Sequence, residues 1–231
     1  MRLILLLLLS FSLSAQNFDF LNGFNFGDGE GDNDACEQLA FFSNGDLLAT
    51  GQFEGLVDFD ADSIQTFLAT SVQGGGEPYF LRYDSQGNLI WWHALRSKRD
   101  VHIYGIKLDA QDNIYLTGSY IEEVIFDASD PTARLSGISP NDGDGYLAKF
   151  DQNGNYLWSK RFAGTGIDAG IDIEINPAGE IVVLGHFGDS LQFDPAQLSS
   201  LRISAGAGDI FMAAYAANNG NFKWAQSIAG I

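Results

Sequence analysis

The segment LAKFDQNGNYLW (Leu147–Trp158) decides how this chain is read. Tyr146, Ala148 and Phe150 alternate with their neighbours, and period-2 patterning with aromatic residues predicts a β-strand. The next residues, Asp151 to Asn155, form a turn: Asp accepts bonds from backbone N–H groups ahead of it, and Gly154 supplies a positive φ without a Cβ clash. A second strand then runs to Trp158. The same segment returns as FLRYDSQGNLIW (Phe80–Trp91) and MAAYAANNGNFKW (Met212–Trp224), the third copy with one extra turn residue.

A second block keeps the same step. LAFFSNGDLLATGQFEGLVDFD (Leu39–Asp60), IKLDAQDNIYLTGSYIEEVIFD (Ile106–Asp127) and IEINPAGEIVVLGHFGDSLQFD (Ile173–Asp194) align without gaps. Gly51, Gly118 and Gly185 stand 67 residues apart, as do Asp60, Asp127 and Asp194. Turns at Ser43–Asp46, Ala110–Asn113 and Pro177–Glu180 mark a second hairpin per copy. Each repeat therefore carries four strands, and the Gly- and Ser-rich stretch after the Phe-Asp pair adds a short strand pair or a long loop. Tandem antiparallel units of this length are the sequence form of propeller blades, which must stack because one sheet cannot bury both faces alone. The expected fold is all-β, with β-propeller-like four-stranded blades over 34–100, 101–167 and 168–231. Trp91, Trp158 and Trp224 read as blade-to-blade packing. Three blades fall short of the 4 to 8 that usually close a ring. The expectation is an incomplete propeller, either a fragment or an arc that closes by self-association.

The N-terminus reads as an export signal. Arg2 precedes an apolar run from Leu3 to Leu9, and small residues lead to a cut after Ala15, the three-part pattern of a secretory signal peptide. The apolar run is shorter than the ~20 residues of a membrane span. Residues 16–33 form an acidic, Gly-rich segment. The formal net charge is −18, and loss of Arg2 makes it one unit more negative. Such a chain repels phosphate backbones and anionic headgroups, which argues against nucleic acid as a partner. Cys36 is the only cysteine, so no internal disulfide, CxxC pair or zinc cluster is expected.

The cleanest copy, Asp144 to Trp158, together with the run Asp112 to Gly118 and the VxFD element, resembles the bacterial β-propeller repeat family of exported proteins. The resemblance covers nearly everything after residue 34. It implies a propeller module on large secreted or surface-attached proteins, often of Bacteroidetes-type bacteria. The Asp-x-x-Gly-Asn-x-x-Trp hairpin is also similar to the tryptophan-docking motif of quinoprotein propellers, although Asn88, Asn155 and Asn221 stand where that motif has Lys.

Residues that recur in step argue for structure, so a ligand site should break the repeat. Trp92, His93 and Arg96 do so: the second copy has Ser159, Lys160 and Ala163 there. With Lys98 and Arg99 they form an aromatic and basic run suited to a binding edge. Two acidic clusters, Asp28, Glu30, Asp32 and Asp58, Asp60, Asp62, have the alternating carboxylates that calcium takes from a tight loop, but neither completes an EF-hand. No nucleophile elbow, P-loop or dinucleotide fingerprint is present. The function expected is a non-catalytic secreted or cell-surface propeller serving in adhesion, scaffolding, or protein or glycan binding. The alternatives are a propeller enzyme acting on polysaccharide and, behind it, a quinoprotein-like enzyme.

Overall fold

The computed structural model describes residues 34–60, 68–70, 76–97 and 99–228. The signal-peptide stretch and the acidic segment before residue 34 lie outside these. Blade 1 contains β1 (Ala35–Phe41), β2 (Leu47–Phe53), β3 (Leu56–Asp58), β4 (Leu68–Thr70), β5 (Glu77–Tyr83) and β6 (Leu89–Ala94). Blade 2 contains β7 (Val101–Leu108), β8 (Ile114–Ile121), β9 (Glu123–Ile125), β10 (Arg134–Ser136), β11 (Gly143–Phe150) and β12 (Tyr156–Thr165). Blade 3 contains β13 (Ala169–Ile175), β14 (Glu180–Phe187), β15 (Ser190–Gln192), β16 (Leu201–Ile203), β17 (Asp209–Ala216) and β18 (Phe222–Ile228). In each, four strands pair antiparallel in chain order, β1-β2-β5-β6 in the first, and a two-stranded hairpin is inserted between the second and third. The segment after the Phe-Asp pair thus belongs to a strand pair that begins just before it.

The turns form for local reasons. Asp84, Asp109 and Asp151 each accept backbone N–H bonds from two and four residues ahead at 2.8–3.0 Å. Gly87 and Gly154 hold φ of 89° and 79°. Asp112 takes the same left-handed backbone, φ 61°, where the other copies have Gly45 and Gly179. The 67-residue glycines have a different cause. The inner strand of every blade slips register opposite them, between Cys36 and Gln38, Ile103 and Gly105, and Gly170 and Asp172. A Cβ on Gly51, Gly118 or Gly185 would run into the carbonyl oxygen of Ala35, His102 or Ala169, so the bulge closes only on glycine.

The blades stack β1 against β7 and β7 against β13, with two apolar cores between the sheets. The first joins Leu48, Phe80 and Leu95 of blade 1 to Tyr120, Phe126, Tyr146 and Phe150 of blade 2. The second joins Tyr115 and Leu147 of blade 2 to Phe187, Phe193, Phe211 and Tyr215 of blade 3. Blade 2 lies between neighbours, and all eight residues of β11 are buried. At roughly 1.5–3 kcal/mol per large apolar side chain, these cores hold the stack. A further cluster, including Phe53, Phe59, Tyr79 and Leu81, lies on the other face of blade 1.

The inserted hairpins also lock the blades together at their outer edge. The end of β12 pairs with β15 of the next blade, Ala163 opposite Gln192 to Thr165 opposite Ser190. At the first junction the same link is one bridge, Arg96 opposite Ile125.

Candidate functional site

The outer rim of the blade 1–blade 2 junction holds a cleft of about 480 Å³. Strand β6 and the residues after it bring Trp92, His93, Ala94 and Arg96 to it. Blade 2 supplies Phe126 to Ser129, the turn after β9, and Gly154 and Asn155 from the β11–β12 turn. Three residues singled out because they break the repeat therefore lie together, and Asp127, 31 positions beyond Arg96 in the chain, joins them.

Because successive residues of a strand face opposite sides, β6 divides its aromatic groups. Trp92 packs on Phe59, with ring centroids 5.2 Å apart, and edge-on to Phe53 at 6.5 Å. His93 turns toward blade 2, stacked on Phe80 at 5.3 Å and tilted against Trp91. It lies directly on Gly154, where a Cβ would stand 2.5 Å from its Nε2. Burial pushes the His93 pKa down, against the raising effects of a bond to the Asn153 backbone and of the Asp127 and Asp151 charges. The ring is neutral at pH 7, with both a donor and an acceptor nitrogen.

Asp127 is half-buried, and its carboxylate accepts the Ser129 amide at 2.8 Å and the Ser129 hydroxyl at 2.7 Å. Those bonds hold its pKa below the usual carboxylate range. Arg96 is fixed only through its backbone, which exchanges bonds of 3.1 and 2.7 Å with Ile125, and its side chain is exposed. The cleft thus presents a neutral imidazole, a guanidinium, a carboxylate and an amide on a rigid seam. That set suits recognition of a polar ligand with apolar faces.

The structure gives the repeated tryptophans two settings. Trp91 packs against the first core and Trp158 against the second. Trp224 is 39% exposed on the outward face of blade 3, where no blade follows among the described residues.

The residues the sequence reading passed over are two buried cations. Arg82 bonds Asp46 Oδ2 through Nε at 2.9 Å and Nη2 at 2.6 Å, lies over the Phe42 ring at 4.0 Å, and donates to the carbonyl of Gln152 in the next blade at 2.8 Å. Lys149 sits at the same column one blade on. It donates to the carbonyl of Ala217 at 2.9 Å, stands 3.7 Å from Asp109 and lies over Tyr115. Burial pushes the Lys149 pKa down, with Asp109 opposing. A basic residue at one column of two otherwise apolar strand faces was the available signal. In blade 3 that column is Ala214.

Of the acidic clusters, Asp58 ends β3 and its Oδ1 accepts the Asp60 amide at 3.0 Å. Asp62, Asp28, Glu30 and Asp32 lie outside the described residues. Among the described residues, no three His, Cys, Asp or Glu side chains are grouped to hold a metal ion. No helix among them is long and apolar enough to cross a membrane.

No family model matches the chain. An uncharacterised WD repeat-containing protein of Acanthamoeba polyphaga mimivirus is 24% identical over 154 residues, 64% of this chain and 11% of that protein. The chain therefore spans about a tenth of the length of the curated relative it matches. WD repeats are four-stranded propeller blades. This likeness and the three sheets define the class: a repeat protein of propeller-like blades. The relative is a viral protein rather than a bacterial exported one.

Proposed function

We propose that this chain is a non-catalytic binding module of the β-propeller type, exported to the cell surface or beyond, which holds a partner protein or a glycan at the rim of its first junction. The observation that carries the reading is the convergence of Trp92, His93 and Arg96 with Asp127 in one cleft. The matching positions at the next junction are Ser159, Lys160 and Ala163, so the stacking of blades does not require the groups that line this cleft. Its aromatic and polar faces fit a sugar ring or an extended peptide. The exported bacterial propeller family, which this sequence resembles, supplies the setting.

The test is a titration of the purified chain with a panel of soluble oligosaccharides and synthetic peptides, read by tryptophan fluorescence and calorimetry. Arg96→Ala and Asp127→Asn should each weaken the best ligand about tenfold, a loss of ~1.4 kcal/mol. Unchanged affinity in both variants would place the binding surface elsewhere.

A further inference from the structure

The outer edge of β6 carries a backbone ladder that stops after one rung. Arg96 donates its amide to the Ile125 carbonyl at 3.1 Å and accepts the Ile125 amide at 2.7 Å, so its backbone groups point outward from blade 1. Leu95 points the other way, its amide donating to the Pro78 carbonyl of β5 at 2.9 Å. Backbone groups alternate sides along an antiparallel strand. Those of Ala94 and Trp92, two and four residues before Arg96, therefore point outward as well.

Strand β9 would meet them if it ran on past Ile125. Instead the chain turns back: Phe126 donates its amide to the Ala133 carbonyl at 2.8 Å, and Asp127 accepts the Ser129 amide. The space so vacated is the cleft, and the three outward positions, Trp92, Ala94 and Arg96, all line it. Trp92 does so although its ring packs on Phe59. Among the described residues, no strand pairs with β6 on this side beyond the Arg96 bridge.

We infer that the partner held at this rim is an extended peptide that adds to β6 as one more antiparallel strand, in line with β9, and places a basic residue beside Asp127. The inference rests on the rim cleft being the binding site. An open strand edge is a template for a further strand, with main-chain bonds giving affinity and side-chain contacts giving specificity. Outward donor and acceptor pairs recur at every second residue, about 7 Å apart, a spacing that a peptide backbone matches and a sugar chain does not. Both Ser129 bonds go to Oδ1 of Asp127, and the chain's net charge of −18 draws in cationic segments.

The probe is a set of end-blocked hexapeptides in which valine alternates with lysine or threonine, titrated into the purified chain by calorimetry. The best of them should slow hydrogen exchange at the Trp92 and Ala94 amides. N-methylation of its two central residues blocks both edges of the peptide and should weaken binding about tenfold or more. Ala94→Pro, which removes one outward N–H and is tolerated at a sheet edge, should do the same. A preference for lysine over glutamate in the peptide should vanish in Asp127→Asn. Equal binding of the N-methylated peptide to the wild-type chain overturns the inference whether or not Ala94→Pro folds. So does a chain that binds oligosaccharides in an Arg96-dependent way and none of the peptides, a result that leaves the rim as the binding site. Failure of both ligand classes removes the rim reading itself.

Discussion

The two junctions between blades solve one packing problem with different chemistry. At the first, Arg82 takes Asp46 with two nitrogens and the Gln152 carbonyl with a third, and Ser43 bonds Asp112 through its amide at 2.9 Å and its hydroxyl at 2.6 Å. The outer-edge link there is a single bridge. At the second, Lys149 stands farther from its acid, and the outer edge is a full strand addition of β15 to β12. The second junction also buries Asp168, whose Oδ1 accepts the Gly188 amide at 3.1 Å while Oδ2 has no hydrogen-bond partner among the described residues. A planar guanidinium offers five donors in a fixed fork, whereas an ammonium offers three on a flexible stem. The first junction is held by directed polar bonds and the second by backbone pairing.

Removing the cations should break that contrast most sharply. Arg82→Ala leaves Asp46 buried without its partner, and losses of this kind run to ~3–5 kcal/mol. Lys149→Ala should cost less, since β12 and β15 remain paired. Urea unfolding followed by tryptophan fluorescence measures both; equal losses would mean that the two junctions do not differ in the way their bonds suggest.

The next effect is one of pH. Burial pushes the Asp168 pKa up to about 7, aided by Asp144 and Asp142 and opposed by the Gly188 and Gly164 amides. The folded state therefore binds this proton more tightly than the unfolded chain. The group's contribution is most favourable below the unfolded carboxylate range and declines as pH rises toward about 7, by at most ~1.4 kcal/mol per unit. Asp168→Asn should be more stable than wild type at pH 8, with the advantage shrinking as pH falls to 4. A constant difference across that range would show that Asp168 is not the titrating group.

The smallest effect sharpens the first junction. Ser43→Ala removes the hydroxyl bond to Asp112 at an exposed site, leaves the amide bond in place, and should cost ~0.5–1 kcal/mol. Asp112→Gly loses both bonds but relieves a left-handed backbone that costs a non-glycine residue ~1–2 kcal/mol, so its net change should lie near zero or be stabilising. A larger loss in Asp112→Gly than in Ser43→Ala would show that no strain is stored at Asp112.

Strands, turns and the four-strand unit were legible in the sequence because each rests on short-range rules. Alternation sets the faces of β11, Asp84, Asp109, Asp151 and Asn176 close their turns on amides two and four residues ahead, and glycine alone fits opposite the inner-strand bulge. Trp92, His93 and Arg96 were visible as departures from the repeat. Asp127 was not, because its three copies share a turn-capping pattern that hides its place in the cleft. Arg82 and Lys149 were missed for a related reason: a charged residue in a strand reads as solvent-facing until its partner blade is known.

The sequence by itself determined the repeat, its four strands, its hairpin turns and the places where only glycine fits. Those features depend on backbone conformation and on side-chain period within a few residues. Only the tertiary structure decided that Arg82 reaches the Gln152 carbonyl, that β15 extends the sheet of the preceding blade, and that His93 and Asp127 line one cleft. Those pairs are separated by 25 to 70 positions in the chain. Their meeting is fixed by how one twisted sheet stacks on the next, a geometry that no local pattern encodes.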